Sequence, residues 1–526
     1  MTPMHLVAAG DAAADDAAAG DATPHAVTDR VAPNDADVPR APRLHGDLPL
    51  VAVCLGLLCL YLGYAAVLKV DQCPDEYMRY TLAYYLYGHG TLPIGDEPEI
   101  VSPIWGFSYA YTPYLPCIIA AVLMRFFALF SASPAVLIFA ARIPSAVSGA
   151  LCAFAVGKTA DLVWGDRRTS LLTALIVGLL PQYVFLSSYL NEDAMATCGV
   201  ALCLWAWARA WRAGKFTPRI CVHLGAAIGL VALTYYNAYG IILASILFFF
   251  AFERTSGVAW REVWMRVALV FAVAFGLAGW FFVRNIIIRR GDIFAMRSLY
   301  ALGEERAPYE YQLPHRPTPL NLHQGLRQTF GGLGPTSWAG MTLSSFLCYV
   351  GYMEFRLDAW VQNIYLALFG IGLLATLVIW GKKYSEEGSE EGFPHGERSP
   401  LYLKIALAIV VVTPIILSMR YSYAIDFSPQ GRYLMSMLPV LALVVAGGYR
   451  KLALVLEARI GRQAEAQPES RTGTVAERAS KGTRWLCGAP ILIASCVTVA
   501  LFVYCAACYL SICVGPAFAM ETITNF

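Results

Sequence analysis

The residues best suited to chemistry stand in four short stretches. "CPDEYMR" sets Asp75 and Glu76 side by side after a proline. Adjacent carboxylates at a helix start can simply complement the positive end of the helix dipole. They can also act as a general base or as divalent-cation ligands, because a helix N-terminus keeps a carboxylate ionised and a base must be ionised to accept a proton. "SSYLNEDAMA" gathers Asn191, Glu192 and Asp193. That pattern suits capping of an interhelical turn, or a polar cavity where the chain is about to re-enter lipid. "WFFVRNIIIRRGD" carries Arg284, Asn285 and Asp292 beside Arg289 and Arg290, and "FSPQGRYLM" carries Gln430, Arg432 and Tyr433. Arginines of this kind either snorkel to a membrane interface or hold a phosphate.

The elements that must position these residues are membrane helices. The chain has 526 residues, of which 58% are hydrophobic and 14% charged. Soluble proteins carry about a quarter charged residues, so the deficit points to an all-α polytopic membrane protein. The net charge of +2 gives no footprint for nucleic acid. A spanning helix needs about 20 apolar residues, which predicts eleven spans: 49–68, 137–157, 169–187, 194–210, 219–235, 238–252, 264–287, 358–380, 401–419, 432–449 and 486–512. With the N-terminus in the cytoplasm, five basic clusters then fall inside: Lys158/Arg167/Arg168, Arg209 to Arg219, Arg254 to Arg266, Lys382/Lys383, and Arg450 to Arg484. A twelfth crossing at 113–131 would move them outside, so that stretch reads as a helix in the outer interface. All four chemistry-bearing stretches, and the long loop from 289 to 357, converge on the outer face.

The rest of the chain sorts by composition. Residues 1–47 read as a disordered cytoplasmic tail, 48–450 as the membrane module with outer loops 70–136 and 289–357, 451–485 as a cytoplasmic linker, and 486–526 as a last transmembrane helix with an outer tail. The polar stretch 382–400 is a second cytoplasmic linker. Half of the 14 cysteines, including Cys54, Cys152 and Cys198, lie in apolar runs, and no zinc-like grouping with histidine occurs. After Asp75, a short helix ending at Gly88 is predicted, with Tyr77, Tyr80, Tyr84 and Tyr87 on one face at the headgroup level. The loop 296–357, with Tyr309, Tyr311, His315, His323 and Trp338, is too long for a plain connection and reads as a lid or substrate platform.

Taken together, the motifs resemble those of the GT-C glycosyltransferases, and more closely a large bacterial family of uncharacterised membrane proteins placed in that superfamily. The matching positions are Pro74-Asp75-Glu76; Pro181 with Asn191-Glu192-Asp193; Trp280, Arg284, Asn285, Gly291 and Asp292; and Gln430-Gly431-Arg432-Tyr433 with Pro439. They run in order over roughly residues 50 to 450. One departure is Arg79, where relatives often have a histidine; His89 is the substitute within reach. The resemblance implies a GT-C-like fold with about eleven transmembrane helices plus interfacial helices in the first and fourth outer loops. It implies transfer of a sugar, with inversion, from a polyprenyl-phosphate donor to an envelope glycan, lipid or protein acceptor at the extracytoplasmic face of a bacterial cytoplasmic membrane. Asp75, less readily Glu76, would be the base and Asp193 a second acid. Asn191, Glu192, Arg284, Asn285, Asp292, Gln430, Arg432, Tyr433 and His89 would bind substrate. A magnesium or manganese ion, if used, would sit on Asp75 and Asp193. The competing readings are a flippase or transporter of a lipid-linked sugar and a glycan polymerase or ligase. A transporter calls for ionisable groups near mid-membrane and repeated halves, which the sequence scarcely offers.

Overall fold

A computed structural model describes residues 44–378 apart from Tyr352 and Glu354, then 400–465, 488–508 and 510. The expected tail up to residue 43, the stretch 379–399, the linker from 466 to 487 and the tail beyond 510 lie outside the described residues. Among the described residues the chain is helical, with one two-residue antiparallel pair, Tyr349–Val350 against Phe355–Arg356.

The helices are α1 (Leu44–Val67), α2 (Glu76–His89), α3 (Leu115–Ala128), α4 (Pro134–Trp164), α5 (Arg167–Gly178), α6 (Pro181–Leu186), α7 (Asp193–Ala213), α8 (Pro218–Ala232), α9 (Gly240–Thr255) and α10 (Trp260–Ile288). They continue as α11 (Met296–Arg306), α12 (Leu326–Phe330), α13 (Trp338–Cys348), α14 (Ala359–Val378), α15 (Leu401–Ala424), α16 (Leu438–Glu465) and α17 (Ala489–Cys508). Eight of them are long and apolar enough to cross a membrane: α1, α4, α9, α10, α14, α15, α16 and α17. The chain is a multi-pass membrane protein.

Three expected spans take other forms. The stretch 169–187 is two helices, α5 and α6, because Pro181 has no N–H and holds Leu180 extended at ψ 119°. Expected span 194–210 is the 21-residue α7, whose ends carry Asp193, Arg209 and Arg212, and 219–235 is the 15-residue α8. The stretch 113–131 holds α3, whose 14 residues rise about 21 Å, short of a ~30 Å hydrocarbon core. Two boundaries differ from expectation. Helix α2 runs through Gly88 and stops at Gly90, which takes the left-handed φ of 69° that only a residue without Cβ adopts freely. Helix α16 continues to Glu465, so the first 15 residues of the expected linker 451–485 extend that helix.

Helix α4 is the organising element and lies against α1, α3, α5 and α7. Its buried surface is built of small residues, among them Ala140, Ala141, Ala146, Gly149, Ala153 and Gly157. Small side chains let neighbouring backbones approach where lipid offers no hydrophobic drive for helix association. Beyond this centre α8 pairs with α10, α9 with α15, and α14 with α16. The start of α2, the α6–α7 junction and the 3-10 turn Gly431–Met437 ahead of α16 meet at one end of this bundle, joined by the ion pairs described next.

Candidate active site

Asp75 caps α2 in the left-handed region at φ 61°, without a side-chain bond to the helix. For a residue with a Cβ this conformation costs of order 1 kcal/mol and persists only where the surroundings enforce it, most often at functional sites. What enforces it is charge. Asp75 Oδ2 accepts from Arg432 Nη2 at 2.5 Å and lies 3.6 Å from Arg79 Nη1. The Asp75 side chain stays 28% exposed, whereas that of Glu76 is 2% exposed. Burial alone would raise the Asp75 pKa, but Arg432 and Arg79 outweigh it and hold the carboxyl below its ordinary range.

Glu76, its neighbour, is fully engaged elsewhere. Its oxygens accept from Arg142 Nε at 2.8 Å and Nη2 at 2.6 Å, and Oε1 also accepts from the Leu190 backbone N–H at 2.9 Å. Arg142 Nη1 donates to the carbonyls of Ala65 and Leu68, at 2.9 and 2.8 Å. The pair thus ties the end of α1, the start of α2, α4 and the α6–α7 junction into one knot. Glu76, expected as an alternative base, has both oxygens held by a bidentate guanidinium, whereas Asp75 keeps a partly exposed side chain.

The α6–α7 junction brings the other acids. Arg79 is bound by both oxygens of Glu192, Nη2 at 2.7 Å, and rests over the Tyr109 ring at 4.5 Å. Asn191 is wholly buried and serves the turn itself, donating to the Leu186 and Tyr189 carbonyls and accepting from Ala194 N–H at 3.1 Å. Asp193 begins α7. Burial, and then the adjacent Glu192, push its carboxyl up to about 7. Asp75 and Glu192 share the two guanidinium groups, Arg79 and Arg432, and Asp193, buried beside Glu192, is the carboxyl of the three that is pushed up.

Arg432 is the group with capacity to spare. It is buried, and among the described residues its Nε and Nη1 have no hydrogen-bond partner; the Tyr189 hydroxyl is likewise buried without one there. Buried donors are rarely left so unless something completes them. Its ring neighbour Tyr433 lies 5.2 Å away and stacks at 5.7 Å with Tyr421, while Gln430 lies half-buried just before it. Gly431 sets the position: a Cβ there would fall 2.0 Å from Phe346 N on α13, and its N–H donates to Ser345 Oγ at 2.7 Å.

The α10 residues form a separate group. Arg284 Nη2 donates to the carbonyls of Leu92 and Pro93, at 3.2 and 2.6 Å. Asn285 donates to Ile293 O and Asp292 accepts from Ser298, so both fasten the exit of α10. This group adjoins the first through the turn Tyr109–Tyr111, since Arg289 sits 3.7 Å over Tyr111 while Arg79 faces Tyr109. His89 is set apart. It is at the far end of α2, about 20 Å along the helix from Asp75, stacked on Tyr85 at 4.1 Å. The long loop does reach the site's support, with Trp338 Nε1 donating to Ser422 Oγ at 2.9 Å and Leu320 N–H to Tyr423 O at 3.1 Å. Arg142 escapes a motif reading, though it had a signal, a lone arginine inside an apolar span. Arg79 entered only as a departure from the first motif.

Among the described residues no group of three or more His, Cys, Asp and Glu side chains is placed to hold a metal ion. Of the expected pair of ligands, Asp75 accepts from Arg432, and burial pushes the Asp193 carboxyl up to about 7.

Comparison with known proteins bears on the fold. Residues 115–280 match the family described as dolichyl-phosphate-mannose-protein mannosyltransferase. No curated protein sequence matches the chain. Among solved structures, the archaeal oligosaccharyltransferase AglB from Archaeoglobus fulgidus, in complex with an inhibitory peptide and a dolichol-phosphate, superposes with a TM-score of 0.50 at 14% identity. That match covers 88% of this chain and 56% of the other, so the chain spans little more than half the length of the enzyme it matches. ArnT from Cupriavidus metallidurans bound to undecaprenyl phosphate gives a TM-score of 0.44 at 14% identity, over 89% of this chain and 76% of the other.

Proposed function

We propose that this chain, whose fold is that of the GT-C glycosyltransferases, moves a sugar from a polyprenyl-phosphate donor to an acceptor hydroxyl at the Asp75 end of the bundle. The observation that carries the reading is the pair Asp75–Arg432: an ionised, strained, partly exposed carboxylate against a buried guanidinium with two donor nitrogens unoccupied. An arginine so placed suits a phosphate oxygen, which its planar fork binds in two-point fashion.

In this mechanism the acceptor oxygen attacks the anomeric carbon from the face opposite the phosphate. Asp75 takes the hydroxyl proton, the carbon–oxygen bond to phosphate breaks with its electron pair, and the centre inverts. Negative charge builds on the departing polyprenyl phosphate and draws Arg432 toward it. Arg432 thereby loosens its hold on Asp75, whose basicity rises as the proton arrives. Glu192 and Arg142 keep the arrangement in place through Arg79 and Glu76, and Asp193 orients the acceptor. The tyrosines of α2, with α3, offer a slot for the lipid at the membrane surface. The basic loops concentrate at the opposite end of the helices, which supports an extracytoplasmic position for the site and the cytoplasmic membrane of a bacterium as its location.

The test uses detergent-purified protein, wild type beside Asp75→Asn, with polyprenyl-phosphate sugars and envelope acceptors from the source cells. Free polyprenyl phosphate is followed by mass spectrometry. Release by wild type and a loss of about 10²–10⁴-fold in Asp75→Asn is expected. Equal release by both removes Asp75 as the base. No release from any donor refutes the transferase reading and favours transport, since detergent leaves a transporter nothing to move across.

A further inference from the structure

A cleft of about 420 Å³ lies in the other half of the bundle, between α4, α7, α9, α14, α15 and α16, away from the Asp75 site. Its walls are apolar over most of their extent, as with Leu407, Val440 and Leu443, and its polar lining gathers toward one end, at Thr376, Lys404 and Lys451. Lys451 is 19 residues beyond Arg432, about 28 Å along that stretch of chain if helical, so the basic mouth is nearly a full hydrocarbon core away from the active site.

Three features specify an occupant. First, depth: along α16 the lining runs from Val440 to Lys451, about 16 Å, which is half of a ~30 Å core and therefore one leaflet. Second, charge: Lys404 and Lys451 line the mouth and Arg450, which donates to Trp164 O at 3.2 Å, stands next to it, a setting that favours an anion. Third, level: Trp164 and Trp211, near the ends of α4 and α7, border the same mouth, and tryptophan beside lysine marks the headgroup plane. We propose that this cleft is a binding site for one anionic glycerophospholipid of the leaflet opposite the active site, acyl chain along α16 and headgroup phosphate between Lys404 and Lys451. The site is independent of the transferase chemistry and stands whether or not that reading holds.

The experiment is native mass spectrometry of the full-length chain after delipidation and addition of phosphatidylglycerol or phosphatidylcholine with identical acyl chains. The lysines predict one retained phosphatidylglycerol and a preference of about tenfold or more over phosphatidylcholine. Lys404→Gln with Lys451→Gln is expected to abolish the preference while leaving acyl-chain retention, and Leu443→Trp, which fills the cleft, to remove retention. Inorganic phosphate at millimolar concentration should displace nothing, because without acyl chains it has no hold on the walls. A photo-crosslinker at Leu407 in otherwise native protein should label the added phospholipid, and needs no variant of the lysines. Equal retention of the two lipids, a preference that survives the double substitution, displacement by phosphate alone, or crosslinks to residues 379–399 or to a polyprenyl chain would each overturn the assignment.

Discussion

Removal of Arg142 separates the supporting knot from the chemistry. Its side chain is 1% exposed and that of its partner Glu76 is 2% exposed, and four of its N–H groups are engaged, two on Glu76 and two on the Ala65 and Leu68 carbonyls. Arg142→Ala leaves a buried carboxylate uncompensated, which for such a pair costs about 3–5 kcal/mol. Glu76 keeps one bond, from Leu190 N–H, too little to stabilise a buried charge. The double variant Arg142→Gln with Glu76→Gln removes both charges and keeps polar partners, so it should lose at least about 2 kcal/mol less than the sum of Arg142→Gln and Glu76→Gln measured singly. Unfolding in mixed micelles titrated with dodecyl sulfate, followed by tryptophan fluorescence, measures all of these. A loss under about 1 kcal/mol for Arg142→Ala, or single losses that simply add, would show that the pair lacks the buried-charge coupling assigned to it.

The remaining expectations concern the site itself. Asp193, raised to about 7, is protonated below that pH and ionised above it, so if orienting the acceptor needs the ionised form, release should rise through pH 7 and Asp193→Asn should flatten the profile. The same shift has a sign for stability: between its unfolded pKa near 4 and about 7 the folded chain binds the extra proton, so this group's contribution falls as pH rises through that window and Asp193→Asn removes the slope. Gly431→Ala forces a Cβ to within 2.0 Å of Phe346 N, and should cost release far more than expression as Arg432 is displaced. His89→Ala should leave release within about twofold, since the side chain lies about 20 Å from Asp75. Chelation with EDTA should leave the rate unchanged, because no group of three or more metal-ligating side chains occurs among the described residues and Asp75 already accepts from Arg432.

Much of this is legible in the sequence, and what is not has physical causes. Apolar runs and the lack of charge identified a polytopic helical protein because bilayer thickness imposes a length on every span. They misplaced the break at Leu179–Leu180, where the apolar pattern continues across a helix end set by Pro181. Convergence of Asp75, the 191–193 turn and Arg432 followed from counting crossings, yet the same count also drew in Arg284, which in the structure holds the 92–93 carbonyls. Counting assigns a residue to a face, not to a partner. The motif ranked Asp75 above Glu76 without a geometric reason. The structure supplies one, leaving the Asp75 side chain 28% exposed and turning Glu76 into Arg142.

The bond between Asp75 and Arg432 spans 357 residues of sequence. At about 5–20 residues per second, a ribosome takes roughly 20–70 s to make that interval. Asp75 and Arg79 wait the whole of it, and Glu192 the later part, without the guanidinium of Arg432. The Glu76–Arg142 knot, whose partners are only 66 residues apart, can close much earlier. Mutations in that knot should be felt first as degradation during insertion, before any finished enzyme exists to be assayed.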